Sequence, residues 1–296
     1  MALKQNRKYL KPGLKIAGTI ACLAFVACNI QWRQSIDILR RANLWWLLSA
    51  LIALNLSQVV SARRLQFFFD LLYIRITAFQ NLLLYYRGMF FNLLLPGGIG
   101  GDGYKVFYIK KWFGQRPGPV IKALITDRLS GLVAIIGIIL LLVNWLAVSF
   151  EWRLLSIGGL ILIYPLFYLF LWLFFRKFLP IFGRVNILAI CVQVLQVLSV
   201  ICLLAALGNP NGIHIYVLLF LVSSIAFVIP ISVGGLGLRE VVFLYGSRFF
   251  MFDEELSVTV SLMFFMLNAL SSLPGAFLSM EPKDKSSGTN VVATDH

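Results

Sequence analysis

A chain of 296 residues with 60% apolar side chains, a mean hydropathy of +0.88 and only 13% charged residues is too apolar for a soluble domain, which carries roughly a quarter charged residues. Its formal net charge of +14 does not call for a nucleic-acid partner, because Lys and Arg gather at the ends of the apolar segments, as the positive-inside rule requires of a membrane protein. Spans of about 20 residues account for this length with roughly six to eight crossings, so the reading is an all-α polytopic membrane protein: a single integral membrane domain over 1–280 and a disordered cytoplasmic tail over 281–296.

The first predicted span is 14–30, preceded by the basic cluster Lys4, Arg7, Lys8, Lys11 and Lys15. It is read as a retained span, since no clear small-residue cleavage site follows. Residues 31–43 mix Trp32, Arg33, Arg40 and Arg41 with apolar side chains, which suits a short interfacial helix. A second span is predicted over 44–60, anchored by Trp45 and Trp46 and closed by Arg63 and Arg64. The stretch 67–95 is apolar but broken by Asp70, Arg75 and Arg87, and it runs into a glycine turn; a short helix over 104–112 follows. After the breakers of 115–119, spans are predicted at 122–148, 154–175 and 187–207. The segment 214–229 leads into a second glycine turn, then a short helix over 238–250, an acidic loop at 253–255 and a last span over 256–278.

The two glycine turns carry the most information. Pro96-Gly97-Gly98-Ile99-Gly100-Gly101-Asp102 and Pro230-Ile231-Ser232-Val233-Gly234-Gly235-Leu236-Gly237-Leu238-Arg239-Glu240 both interrupt apolar runs and lead at once into charge. Broken backbone at membrane depth survives only where protein or a water-filled cavity satisfies its polar groups. Charge beside such a break is how many transporters build a midplane site. The shared Gly-Gly-aliphatic-Gly starts at 97 and again at 234, 137 residues later, which predicts a weak internal repeat of inverted topology.

Four of the twelve acids lie in apolar surroundings: Asp70, Asp102, Asp127 and Glu240. Ionisable groups there cost several kcal/mol and need partners. Asp127 and Arg128 point about 100° apart on a helix, so Asp127 is expected to face Lys105 or Arg239, and Arg128 to face Asp102 or Glu240. The expected substrate-binding set is therefore Asp102, Lys105, Asp127, Arg128, Arg239 and Glu240, with Gly97, Gly98, Gly100, Gly101, Gly234, Gly235 and Gly237 offering backbone N–H groups to an anion. The competing reading is a buried ion-pair network that locks helices together. No Lys-Ser/Thr follows the glycines, so neither turn is a nucleotide P-loop. The four cysteines (Cys22, Cys28, Cys191, Cys202) fall in apolar segments without CxxC spacing, and the only histidines are His214 and His296. No catalytic residue, metal site or cofactor is expected from them.

Counting basic residues orients the chain. If each glycine turn is the tip of a re-entrant hairpin, 17 Lys and Arg share one side with both termini, five lie opposite, and four (Arg87, Lys105, Arg128, Arg239) sit at depth. That bias favours about six full spans plus two hairpins entering from opposite faces, with cytoplasmic termini. Eight crossings with broken third and seventh helices remain the other arrangement.

The runs Asn92–Lys105, Thr126-Asp127-Arg128-Leu129-Ser130-Gly131 and Pro230–Glu240 together resemble the lysylphosphatidylglycerol synthase transmembrane-region family, also called flippase-like domain proteins. The three motifs come in family order and the resemblance covers nearly the whole chain. It implies translocation of a lipid or lipid-linked headgroup across the bacterial inner membrane, in cell-envelope lipid or glycolipid assembly. In the best-understood members this region moves an aminoacylated phospholipid that a cytosolic transferase domain makes; these residues contain no such domain, so that activity is not carried over. The implied partners are a phospholipid or polyprenol-linked substrate, membrane lipids and a separate lipid-modifying enzyme. The alternative reading is a membrane-embedded glycosyltransferase or an accessory subunit of a lipid-modifying enzyme.

Overall fold

The computed structural model describes residues 42–94, 100–146, 149–209, 211–228 and 237–278. The expected first span at 14–30, nearly all of the interfacial helix, the apices of both glycine turns and the tail lie outside the described residues.

Every regular element among the described residues is helical. In chain order these are α1 (Leu44–Leu71), α2 (Ala78–Leu94), α3 (Gly100–Phe113), α4 (Pro117–Val143), α5 (Phe150–Phe174), α6 (Phe182–Ala206), α7 (Ile213–Val228), α8 (Leu238–Phe249), α9 (Glu254–Ser272) and the single turn α10 (Pro274–Phe277). A 3-10 stretch, Arg176–Ile181, leads into α6. Five units are long and apolar enough to cross a membrane: α1, α4, α5, the 3-10 stretch with α6, and α9 with α10. The chain is an all-α polytopic membrane protein.

Local chemistry sets the ends. The Asn43 side chain accepts from the Trp45 N–H at 2.9 Å and starts α1, and Pro117 opens α4 where a missing N–H costs nothing. Asp253, read from sequence as part of an acidic loop, instead caps α9 by accepting from the Leu256 N–H at 2.9 Å. A larger correction concerns α1, which does not stop at Arg63 and Arg64 but runs on to Leu71. Asp70, expected in apolar surroundings, is exposed at the end of α1, where it accepts from Gln66.

The bundle is apolar outside and polar within. α5 turns Leu154, Leu155, Ile161, Leu162, Leu166 and Phe174 outward, as a lipid-facing helix must. Buried hydroxyls such as Ser57, Ser61, Ser130 and Ser199 lie between helices instead, small enough to let backbones approach. Ser199 reaches across to the Ala50 carbonyl at 2.9 Å, and the Asn43 N–H donates to the Ala206 carbonyl at the same distance. Those two contacts set α1 and α6 antiparallel along their lengths.

Two apolar clusters mark opposite ends of α1. One joins Phe68 and Leu72 to Leu84 of α2, Ile109 of α3, Val120 of α4 and Phe178 before α6. The other joins Ala50 and Leu54 to Leu203 of α6, Phe220 of α7, Phe243 of α8 and Val260 of α9. The base of the α2–α3 hairpin therefore belongs to one end and the base of the α7–α8 hairpin to the other. Their helices have 17, 14, 16 and 12 residues, or roughly 18–26 Å at 1.5 Å per residue, short of the ~30 Å hydrocarbon thickness.

This arrangement is an inverted repeat. The starts of α1 and α6, α2 and α7, α3 and α8, and α4 and α9 are separated by 138, 135, 138 and 137 residues. The equivalent helices α1 and α6 run in opposite directions, so the second half is the first turned over. The spacing of the glycine turns extends to four helix pairs of the bundle, with α5 and α10 outside the pairing among the described residues.

Candidate functional site

Between the two apolar ends lies a cavity of about 280 Å³. Asn92, Leu93 and Asp102 reach it from the tip of the first hairpin, and Ser224, Arg239 and Glu240 from the tip of the second. Lys105 of α3, Leu54, Gln58 and Arg64 of α1, Asp127 and Arg128 of α4, Gln193 and Gln196 of α6, and Asn268 of α9 also line it. All six charged residues singled out from the sequence line this one space.

Their partners are only partly those expected. Arg128 does pair with Asp102, Nε to Oδ2 at 2.5 Å, and Lys105 Nζ stands 3.5 Å from the other oxygen of the same carboxylate. The Lys105 ammonium also sits 4.2 Å from the Tyr85 ring centroid. Asp127, however, faces neither Lys105 nor Arg239. Its carboxylate takes two parallel bonds from Arg64, at 2.7 Å and 3.1 Å, and both side chains are more than nine-tenths buried. Arg64 is thus withdrawn from the 17 basic residues assigned to one surface and joins those at depth. A planar guanidinium fork on a carboxylate is the geometry that best offsets the desolvation of two buried charges.

Glu240 is fully buried. Its Oε2 accepts from the Gly237 N–H at 2.7 Å and its Oε1 from the Ser261 hydroxyl at 3.0 Å, which ties the start of α8 to α9. Gly237 has φ +86°, a backbone conformation side-chain-bearing residues rarely adopt. Arg239, the next-door neighbour of Glu240, points another way. Its Nε and Nη2 lie 3.3 Å from the hydroxyl oxygens of Ser223 and Ser224, and its guanidinium is 5.1 Å from the Phe220 ring centroid and 4.6 Å from that of Phe264. Among the described residues Arg239 makes no ion pair.

Of the described glycines expected to form an anion nest, Gly100 opens α3, and Gly101 and Gly237 have N–H groups already bonded within the protein. The Gly101 N–H donates to Asn92 Oδ1 at 2.8 Å, and the Gly237 N–H is taken by Glu240, so both donors are already used. A Cβ on Gly101 would collide with the Gly88 backbone; this is where α2 and α3 cross. Gly97, Gly98, Gly234 and Gly235 lie outside the described residues.

Sequence reasoning missed Arg64 and the amide side chains Gln58, Gln193 and Gln196. A signal existed: Ser57, Gln58, Ser61 and Arg64 recur at three- and four-residue steps, a polar stripe along an otherwise apolar helix. Two polar atoms of this set are buried without a partner, Nη1 of Arg64 and Oε1 of Gln193, and both residues line the cavity.

The model of the family described as lysylphosphatidylglycerol synthase TM region matches residues 13–189. No curated protein and no solved structure matches the chain. The matched range ends within α6, so the second hairpin lies beyond it and is linked to the first half by the repeat.

Proposed function

This chain belongs to the lysylphosphatidylglycerol synthase TM region family, and from that membership together with the cavity we propose that it translocates a lipid or lipid-linked headgroup between leaflets. The observation behind this reading is a single polar cavity walled by the tips of two opposed hairpins in a bundle whose outer face is apolar. A headgroup would occupy the cavity while its acyl or polyprenyl chains remain in lipid. The volume of about 280 Å³ sits near the lower edge of the roughly 300–1,000 Å³ typical of small-molecule sites, room for a headgroup and not for its chains. The inverted repeat supplies a route: two halves of opposite orientation make the same movement available toward either leaflet. The membrane is the bacterial inner membrane, the termini are cytoplasmic by the basic bias, and a separate lipid-modifying enzyme supplies or uses the lipid.

The test is reconstitution of the purified chain into liposomes carrying a fluorescent phospholipid or a labelled polyprenyl phosphate sugar in both leaflets. A membrane-impermeant quencher bleaches the outer leaflet at once. Continued bleaching in protein-containing vesicles, absent from empty ones, is the expected result. Identical traces with every labelled lipid would overturn the reading.

A further inference from the structure

We propose that Arg239 is the seat of an uncompensated phosphodiester, a headgroup with a net charge of −1. This rests on the reading of the cavity as a headgroup site and narrows it to a chemical class.

The argument begins with charge. Four cations (Arg64, Lys105, Arg128, Arg239) and three carboxylates (Asp102, Asp127, Glu240) line the cavity among the described residues, one positive charge in excess with every group ionised. The hairpin apices, 95–99 and 229–236, contain no ionisable side chain. The contacts divide these charges unevenly: Arg64 holds Asp127 one to one, Lys105 and Arg128 share Asp102, and among the described residues Arg239 makes no ion pair, while its neighbour Glu240 is held by the Gly237 N–H and the Ser261 hydroxyl.

Neutral partners do not make up the difference. Ser223 and Ser224 donate their own protons to the Phe220 carbonyl, at 2.7 and 2.8 Å, so they meet Arg239 only as acceptors and hold it in place. Phe220 and Phe264 fix its plane. A guanidinium braced on two sides and left with free N–H groups is preorganised for an oxyanion, whose paired oxygens match its fork. A second, independent feature lies on the same cavity wall: Nη1 of Arg64, on a residue only 6% exposed, is a donor without a partner, as Oε1 of Gln193 is an acceptor without one. Unpaired buried donors are costly and rare in folded proteins, and an entering anion would satisfy one. A phosphodiester brings one charge and several acceptor oxygens. A zwitterionic headgroup also brings a cation, and the carboxylates of the wall are already engaged, Asp102 and Asp127 by cations and the fully buried Glu240 by the Gly237 N–H and the Ser261 hydroxyl.

The experiment uses the full chain purified in an uncharged detergent, with thermal unfolding followed at fixed ionic strength. Phosphatidylglycerol, phosphatidylcholine, oleate and millimolar inorganic phosphate are added separately. The expected result is a rise in Tm with phosphatidylglycerol that exceeds the rise with phosphatidylcholine or oleate. In Arg239→Gln the apparent affinity for phosphatidylglycerol should fall by about tenfold or more, the scale of a lost charge-assisted bond, while Arg153→Gln, exposed and outside the cavity, responds as the parent does. An equal response to phosphatidylcholine or oleate, or an undiminished one in Arg239→Gln, overturns the proposal. Should Arg239→Gln fail to fold, Arg239→Lys and the double variant Ser223→Ala/Ser224→Ala carry the test. Both keep the charge and loosen its fork, so the phosphatidylglycerol shift must shrink; undiminished shifts in both overturn the assignment. An Arg239-dependent response to inorganic phosphate alone supports the anion seat and removes the lipid reading. A phosphatidylglycerol response without leaflet exchange in liposomes likewise keeps the seat and rejects translocation.

Discussion

Arg64 of α1 and Asp127 of α4, 63 residues apart in sequence, face each other through two bonds of 2.7 and 3.1 Å at a depth where neither is more than a tenth exposed. This pair clamps α1 to α4 across the cavity, and it makes Asp127 an anchor as well as part of the wall. Asp127→Asn is expected to destabilise by about 3–5 kcal/mol, because it strands a buried guanidinium. The double change Arg64→Met/Asp127→Leu should cost less than the two single changes added together. Thermal unfolding of the four proteins measures this directly, and strict additivity would show that the pair contributes no coupling.

Gly101 and Gly103 lie two residues apart on α3 and should respond oppositely to alanine. A Cβ at Gly101 meets the Gly88 backbone, which cannot rotate away, whereas a Cβ at Gly103 meets nothing within 4 Å. Gly101→Ala is expected to open the α2–α3 crossing at a cost of about 1–3 kcal/mol. Gly103→Ala should be neutral or stabilise the helix by up to about 1 kcal/mol. Equal melting temperatures for both variants would refute the crossing.

Glu240 joins the N-terminus of α8 to Ser261 of α9 with one carboxylate oxygen for each. Glu240→Gln retains an oxygen for only one of these donors and should cost about 1–3 kcal/mol. Glu240→Ala should cost more, and Ser261→Ala less, since the first removes both acceptors and the second leaves the Gly237 bond intact. The order of the three unfolding midpoints is the measurement; any other order would mean that the carboxylate is held by something else.

The hairpins enter from opposite ends, so their outer ends should be labelled from opposite sides. Lys111→Cys, near the end of α3, is expected to react with an impermeant thiol reagent only from the cytoplasm. Arg248→Cys, near the end of α8, should react only from the far side. Labelling of both from one side would reject the opposed-hairpin topology.

How much of this was readable in advance differs from element to element. The apolar runs located the long helices, because hydrocarbon demands continuous helical hydrogen bonding and leaves length and hydropathy as sufficient signals. The repeat was legible at the two glycine turns, and the helix spacing extends it over four helix pairs. The end of α1 was misread: Arg63 and Arg64 look like a charged stop, and only Asp127 on another helix lets Arg64 continue inside. The N–H groups of Gly101 and Gly237 were assigned to a ligand because the sequence does not show that Asn92 and Glu240 reach them first.

By itself the sequence determined the class of molecule, its helices, the two breaks and the small set of charges that had to meet somewhere below the surface. Those follow from local periodicity and from the cost of polar groups in lipid, which act on each segment separately. Tertiary structure alone decided who pairs with whom. Arg64 takes Asp127, Asp102 is shared by Lys105 and Arg128, and Arg239 is braced by serines and phenylalanines without an ion pair among the described residues. The physical reason is that a buried charge is stabilised over a few ångströms, and which partner stands at that distance depends on how helices far apart in the chain cross.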